Sequence, residues 1–157
     1  MLHTNEEMKL SSSESTRISL EAIRNGEAGL NTHRQELLNR VPNQNDWATL
    51  KRDSVSIKDI AYLSAATHDE FALLRGKNRD ILFHGVPEHC CFDEELMLLL
   101  KSKKLRLVVH SHADYNMIKS SSDDREFLRY IGQKESLIVS YITGDVKNFT
   151  QSVFDDI

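Results

Sequence analysis

The chain has 157 residues, 39% of them hydrophobic and 28% charged, with a formal net charge of −4. That length suits one domain with a real core and leaves little room for two. The acidic balance gives no nucleic-acid footprint. No stretch approaches the ~18 apolar residues of a membrane span or has the run of a signal peptide, so the expectation is a cytoplasmic protein with neither nucleic-acid nor membrane partners.

The first fifteen residues are polar and serine-rich, and a frayed start is expected. Ser15 or Thr16 can cap a short helix ending near Asn25, and Thr32 with Gln35 has capping-box spacing ahead of Leu37, Leu38 and Val41. Pro42 stops that helix. Another short helix is expected from Asn45 or Asp46. Ser56 and Asp59 then open a helix with Ile57, Ile60, Ala61 and Leu63 on one face. The first sixty residues thus read as helical, and residues 1–55 as a helical extension that packs on or caps a domain spanning 56–157.

From Glu70 the period changes from helical to alternating. "EFALLRG" and "DILFHG", separated by "KNR", predict a hairpin with Gly76 near its turn. "DEELMLLLKSKK" from Asp93 is a helix with acids at its start and lysines at its end, as the helix dipole favours. "LRLVVH" (105–110) is a buried strand, "SSSDDREFLRYIG" a capped helix and "SLIVSYITGD" another strand, paired with "NFTQSVF". This order predicts an α/β fold, a mixed central β-sheet flanked by helices with a helical N-terminal segment.

The chemistry concentrates in "HSHADYNMIKSSSDD" (110–124). Residues two apart on a strand share a face, so His110 and His112 project together where the strand leaves the sheet. Ser120 and Asp123 lie at the start of the next helix, close enough for a turn to bring the carboxylate back to the imidazoles. Ser120 with Asp123 also has the spacing of a plain helix cap. Two imidazole nitrogens and one carboxylate oxygen nevertheless form a sound three-ligand set for one Zn2+ per chain, with a fourth position for water.

The full pattern, His110-Ser111-His112, seven residues, then Ser120-x-x-Asp123, resembles the signature of the JAMM (MPN+) zinc metalloproteases. "EFALLRGKNRDILFHG" and "SSSDDREFLRYIGQKESLIV" are also similar to bacterial JAB-type domains at the ends of polymorphic toxins. The resemblance covers residues 56–157 and implies a JAB/MPN fold, which is cytidine-deaminase-like. It also implies a glutamate upstream on a strand, and Glu70 in "THDEFALLRG" fits that position, with Leu74 and Gly76 after it. Glu88, Glu94 and Glu95 compete but read as solvated charges. The implied function is hydrolysis of a peptide or isopeptide bond in a protein or peptide substrate, ubiquitin-like tails included. His110, His112 and Asp123 hold zinc, Glu70 is general base and then acid, and Ser120 stabilises the oxyanion.

Other readings stand beside this one. "HSHAD" also satisfies His-x-His-x-Asp, the opening of a metallo-β-lactamase-type site with Asp114 as carboxylate, although Tyr115 stands where another histidine would follow. His84, His89, Cys90 and Cys91 suggest a second zinc cluster, but adjacent cysteines lack the usual Cys-x(2–4)-Cys spacing. Nor do neighbouring cysteines form an ordinary disulfide, in keeping with a reducing compartment. A toxin-like effector using the same chemistry and a non-catalytic binding module on this fold are the functional alternatives. Trp47, Tyr62 and the helical start could cover the cleft, dimerise or meet a partner; packing on the domain is the simpler role for them.

Overall fold

The computed structural model describes residues 12–114 and 120–152. Within them the chain is α/β, with a six-stranded mixed sheet flanked by five helices. Helices α1 (Ser12–Arg24) and α2 (Thr32–Arg40) precede strand β1 (Trp47–Lys51), and α3 (Ile57–Thr67) precedes the hairpin of β2 (Phe71–Arg75) and β3 (Arg79–His84). After α4 (Glu94–Lys101) come β4 (Arg106–His112), α5 (Ser122–Ile131), β5 (Glu135–Ser140) and β6 (Val146–Thr150). The strand order is β1-β3-β2-β4-β5-β6. Every neighbouring pair is antiparallel except β4 with β5, the one pair that needs a crossover, which α5 provides.

Alternation along the strands divides the core into two layers. Phe71, Leu73, Leu82, Val109 and Val139 face α1, α2 and α3 and pack with Leu20, Leu37, Ile60 and Leu63. Ala72, Leu74, Ile81, Phe83, Ile138 and Phe149 face the other way, onto Leu96 and Leu100 of α4 and Leu128 and Ile131 of α5. The central hairpin is therefore buried on both sides. This explains why β2 and β3 read as near-continuous apolar runs instead of clean alternation.

Caps follow local chemistry. The Ser56 hydroxyl accepts from the Asp59 N–H while Asp59 accepts from the Ser56 N–H, the reciprocal pair expected at the start of α3. Asp59 is buried and also takes the Arg34 guanidinium at 2.9 Å, which lies over the Tyr62 ring and so ties α2 to α3. At α2 the cap is Asn31, accepting from the Arg34 N–H at 2.8 Å, one residue before the expected Thr32.

One expectation for the N-terminal part is corrected. The segment expected as a helix from Asn45 or Asp46 is β1, an edge strand paired with β3 from Trp47 opposite Phe83 to Lys51 opposite Arg79. A neighbouring strand with free hydrogen-bonding groups outweighs the weak helical pattern of five residues. β1 belongs to the sheet, and Leu20, Leu37 and Val41 of the N-terminal part share one core with α3 and the sheet. Arg24 adds hydrogen bonds to the Tyr141 and Ile142 carbonyls. Of the polar start, residues 1–11 lie outside the described residues and 12–15 form the first turn of α1; Val153 and Phe154, the end of the expected last strand, also lie outside them.

Candidate metal centre

A bulge in β4 sets the site's orientation. Leu73 pairs with Val109 but Leu74 pairs with Leu107, so Val108 is an extra residue in β4. Val108 and Val109 consequently both face the α3 side, while Leu107 lies in the α5-side layer. The following residue, His110, is thereby phased onto the α5 side, where its ring meets Phe149 edge-on. Without the extra residue the phase of every later side chain would reverse, carrying both histidines to the wrong face.

The β2–β4 register brings in the glutamate. Ala72 is opposite His110, and continuing that register two residues beyond the ladder sets Glu70 opposite His112. Backbone bonds hold Glu70 at that position: its N–H donates to the Val86 carbonyl at 3.0 Å and its carbonyl accepts from the Gly85 N–H at 2.7 Å. Only glycine fits at 85, because a Cβ there would lie 2.7 Å from the His89 carbonyl oxygen and 2.8 Å from that of Glu70. Glu70, His110 and His112 each present a ligand atom within 4.8 Å of the others.

Helix α5 supplies the second carboxylate, and the residue is Asp124. Its Oδ1 lies 3.1 Å from His110 Nε2 and its Oδ2 3.2 Å from His112 Nε2, while the two Nε2 atoms are 3.1 Å apart. The expected Asp123 is exposed on the cleft wall, one residue away from the imidazoles. "SSSDD" holds two overlapping Ser-x-x-Asp frames, and the helix adopts the second. Ser121 is the N-cap, with its hydroxyl accepting from the Asp124 N–H at 3.0 Å and Asp124 accepting from the Ser121 N–H at 2.9 Å.

Packing decides between the frames. Asp124 precedes Leu128 and Ile131, the buried residues of α5, by four and seven positions and shares their inward face. Asp123 aligns instead with Phe127 and the exposed Tyr130. Ser120 is displaced likewise: it is buried, its hydroxyl and carbonyl taking the Arg125 guanidinium, while Ser121 lines the cleft. In the structure Asp124 stands against the imidazoles and Ser121 caps the helix beside it, whereas the expected Ser120 and Asp123 make no contact with either histidine among the bonds described. The helical stripe Asp124-Leu128-Ile131 was the signal in the sequence that favoured the second frame.

Asp114 and Ser111 complete the surroundings. Asp114 Oδ2 lies 3.3 Å from His112 Nδ1, the nitrogen turned away from the cluster, so Asp114 orients an imidazole and does not converge with it. That geometry is unlike a His-x-His-x-Asp ligand set; Tyr115 lies outside the described residues. Ser111 points to the opposite face of the sheet, where its hydroxyl accepts from the Phe71 N–H at 2.9 Å and pairs with the Ser64 hydroxyl at 2.6 Å.

Electrostatics follow from burial and proximity. Burial pushes the Glu70 carboxyl up to about 8, with Asp124, Asp114 and Glu88 adding to the rise and His112 opposing it. For His112 burial works against the charged ring, but the hydrogen bond and charge of Asp124, with Glu70 and Asp114, outweigh it and raise the group to about 9. Burial also opposes the Asp124 charge, yet its hydrogen bonds to His110 and His112 hold its carboxyl far below the usual range. A cleft of about 690 Å³ opens on this cluster, its lining including the apolar Phe92, Phe127 and Leu107 and the acidic Glu88, Asp114 and Asp123.

The donor set fits zinc. A tetrahedral ion with bonds of about 2.0–2.1 Å spaces its ligand atoms about 3.3–3.4 Å apart, close to the separations of the two Nε2 atoms and the Asp124 oxygens. The suggested second cluster does not form. His84 is buried, with Nδ1 2.8 Å from the Val41 carbonyl oxygen and Nε2 2.7 Å from Asp69. The Cys90 thiol is pushed well above its ordinary value by burial, then by Glu70 and Asp124. Among the described residues no helix is long and apolar enough to cross a membrane.

Comparison of the chain with family models, with curated proteins and with solved structures finds no match.

Proposed function

We propose that the chain is a zinc-dependent peptidase or isopeptidase of the JAMM (MPN+) type, with His110, His112 and Asp124 holding the metal. The convergence of the two Nε2 atoms and the Asp124 carboxylate, with Glu70 beside them at the head of a 690 Å³ cleft, carries the reading. Bound there, zinc would activate a water at neutral pH and polarise the carbonyl of the substrate amide.

The chain's own groups would do the rest. Glu70 takes one proton from the attacking water and returns it to the leaving nitrogen as the C–N bond breaks, so water is divided between the new carboxylate and the free amine. Burial raises the Glu70 carboxyl in the metal-free chain, and bound zinc would draw it back down, toward the neutral range that suits a group which both takes and returns a proton. Ser121 already accepts from the Asp124 N–H, which leaves its hydroxyl hydrogen available to the oxyanion. Asp114 keeps the His112 ring turned so that Nε2 faces the metal. The cleft volume accommodates a few residues of an extended peptide against Phe92 and Phe127. Free, adjacent cysteines support a cytoplasmic setting.

The test is hydrolysis of a library of peptide and lysine-linked amides by protein purified without added metal, before and after chelation. Cleavage that chelation abolishes and one equivalent of zinc restores supports the proposal. Cleavage indifferent to chelation, or none with zinc bound, rejects it.

A further inference from the structure

We infer that Ser111, the residue between the two histidines, is a positioning residue that holds Glu70 in line with the metal-binding pair through the backbone of Phe71. The inference rests on the zinc-hydrolase reading for its kinetic consequence but on the structure for its geometry.

Four observations carry it. The β2–β4 ladder pairs Ala72 with His110, and at the next position the Phe71 N–H is bonded to the Ser111 hydroxyl at 2.9 Å. The two strands are thus joined at the mouth of the site by a side chain. The Ser111 hydroxyl also lies 2.6 Å from the Ser64 hydroxyl of α3, and both serines are fully buried, so water cannot substitute for either partner. Ser111 shares its peptide bonds with His110 and His112, and Phe71 shares one with Glu70, so this hydroxyl ties the strand of the proton-transferring carboxylate to that of both imidazoles, in addition to the Val86 and Gly85 bonds that hold Glu70 itself. Finally, α3 is anchored independently by its Ser56–Asp59 cap and by Arg34, which gives the Ser64 end of the link a fixed base.

The two ends of the reaction centre lie on different strands, and proton transfer is sensitive to their separation. Misplacement by about 1 Å costs roughly 100-fold in turnover. The metal ligands themselves do not depend on the link, because His110, His112 and Asp124 are brought together by β4 and α5. Loss of the Ser111 hydroxyl should therefore leave metal binding intact while displacing Glu70.

The experiment compares Ser111→Ala, Ser111→Thr and Ser64→Ala with the parent chain in zinc content, in kcat and KM on a peptide amide, and in amide hydrogen exchange at Glu70 and Phe71. Expected for Ser111→Ala are one zinc per chain, faster exchange at both amides and a kcat lower by roughly 100-fold with KM little changed. Ser111→Thr, which keeps the hydroxyl, should restore most of kcat. Parental kcat in Ser111→Ala overturns the inference, as does loss of zinc in step with activity or a Ser111→Thr no better than Ser111→Ala. If Ser111→Ala fails to fold, Ser64→Ala decides: a lowered kcat with zinc retained supports the link, and parental kcat overturns it. A parent chain that binds no zinc and cleaves nothing defeats the hydrolase reading instead. The exchange rates then decide the link alone, and unchanged exchange at Phe71 and Glu70 in Ser111→Ala overturns it.

Discussion

His110 Nε2 lies 3.1 Å from His112 Nε2, and each is within 3.2 Å of a different oxygen of Asp124. Two imidazole nitrogens turned to one point, with a carboxylate closing the triangle, either share protons among themselves or give their lone pairs to a cation. Proton and metal therefore compete for the same atoms.

That competition sets a pH dependence. In the metal-free chain His112 is raised from 6.5 to about 9, so its pairing contributes stability that is complete below 6.5 and lost as pH rises through 9. Glu70, raised from 4.5 to about 8 by burial, has the same sign: the folded state favours its proton, and that preference is lost between 4.5 and 8. Asp124 has the opposite sign, since its contribution is lost only as pH falls below the ordinary carboxylate range. The Tm of metal-free protein should accordingly fall from pH 5 to pH 9. Zinc binding displaces the His112 proton, so the Tm gained on adding zinc should widen over the same range. A gain that is constant or narrows with rising pH in thermal melts would contradict the assignment.

Glu70→Gln separates proton transfer from metal binding. The amide keeps the shape of the carboxyl but can neither take nor return a proton, and turnover should fall by about 10²–10⁴. Zinc content should stay at the parental value, because His110, His112 and Asp124 remain in place. Elemental analysis beside single-turnover kinetics checks both parts, and a variant that loses its zinc would make Glu70 a ligand.

Gly85→Ala tests the turn behind Glu70. An added Cβ would meet the His89 and Glu70 carbonyl oxygens below 3.0 Å, so the backbone itself must shift. Overpacking of this kind costs about 1–3 kcal/mol, and activity should fall further than zinc affinity does. Urea unfolding and kinetic assays read the two effects; parental behaviour in both would show that the loop has slack.

The sequence carried the sheet-and-helix alternation, the α3 cap, the hairpin from Glu70 and the pairing of His110 with His112 on one face, because each is a local pattern of two to four residues. It hid β1, whose five residues become a strand through pairing with β3. The bulge at Val108 was hidden for a similar reason, since one extra residue in an apolar run leaves no mark on composition. Asp124 lay between these cases. The motif spacing selected Asp123, whereas the stripe Asp124-Leu128-Ile131 was present in the sequence and selects the residue that faces the histidines. The role inferred for Ser111 depends on α3 approaching the far side of β4, a contact 47 residues distant in sequence that no local pattern shows.

The most direct test of the centre is the zinc content of Asp124→Ala beside Asp123→Ala, by elemental mass spectrometry on protein purified without added metal or tag histidines. The proposed centre takes Asp124 as its carboxylate ligand, on its contacts with both imidazoles. Expected are one zinc per chain in the parent and in Asp123→Ala, and an affinity lower by about 100-fold or more in Asp124→Ala, at or beyond the larger end of the losses seen for outer-shell partners. Zinc retained in Asp124→Ala and lost in Asp123→Ala would contradict it, and a parent chain that takes up no zinc even when supplied would remove the metal centre altogether.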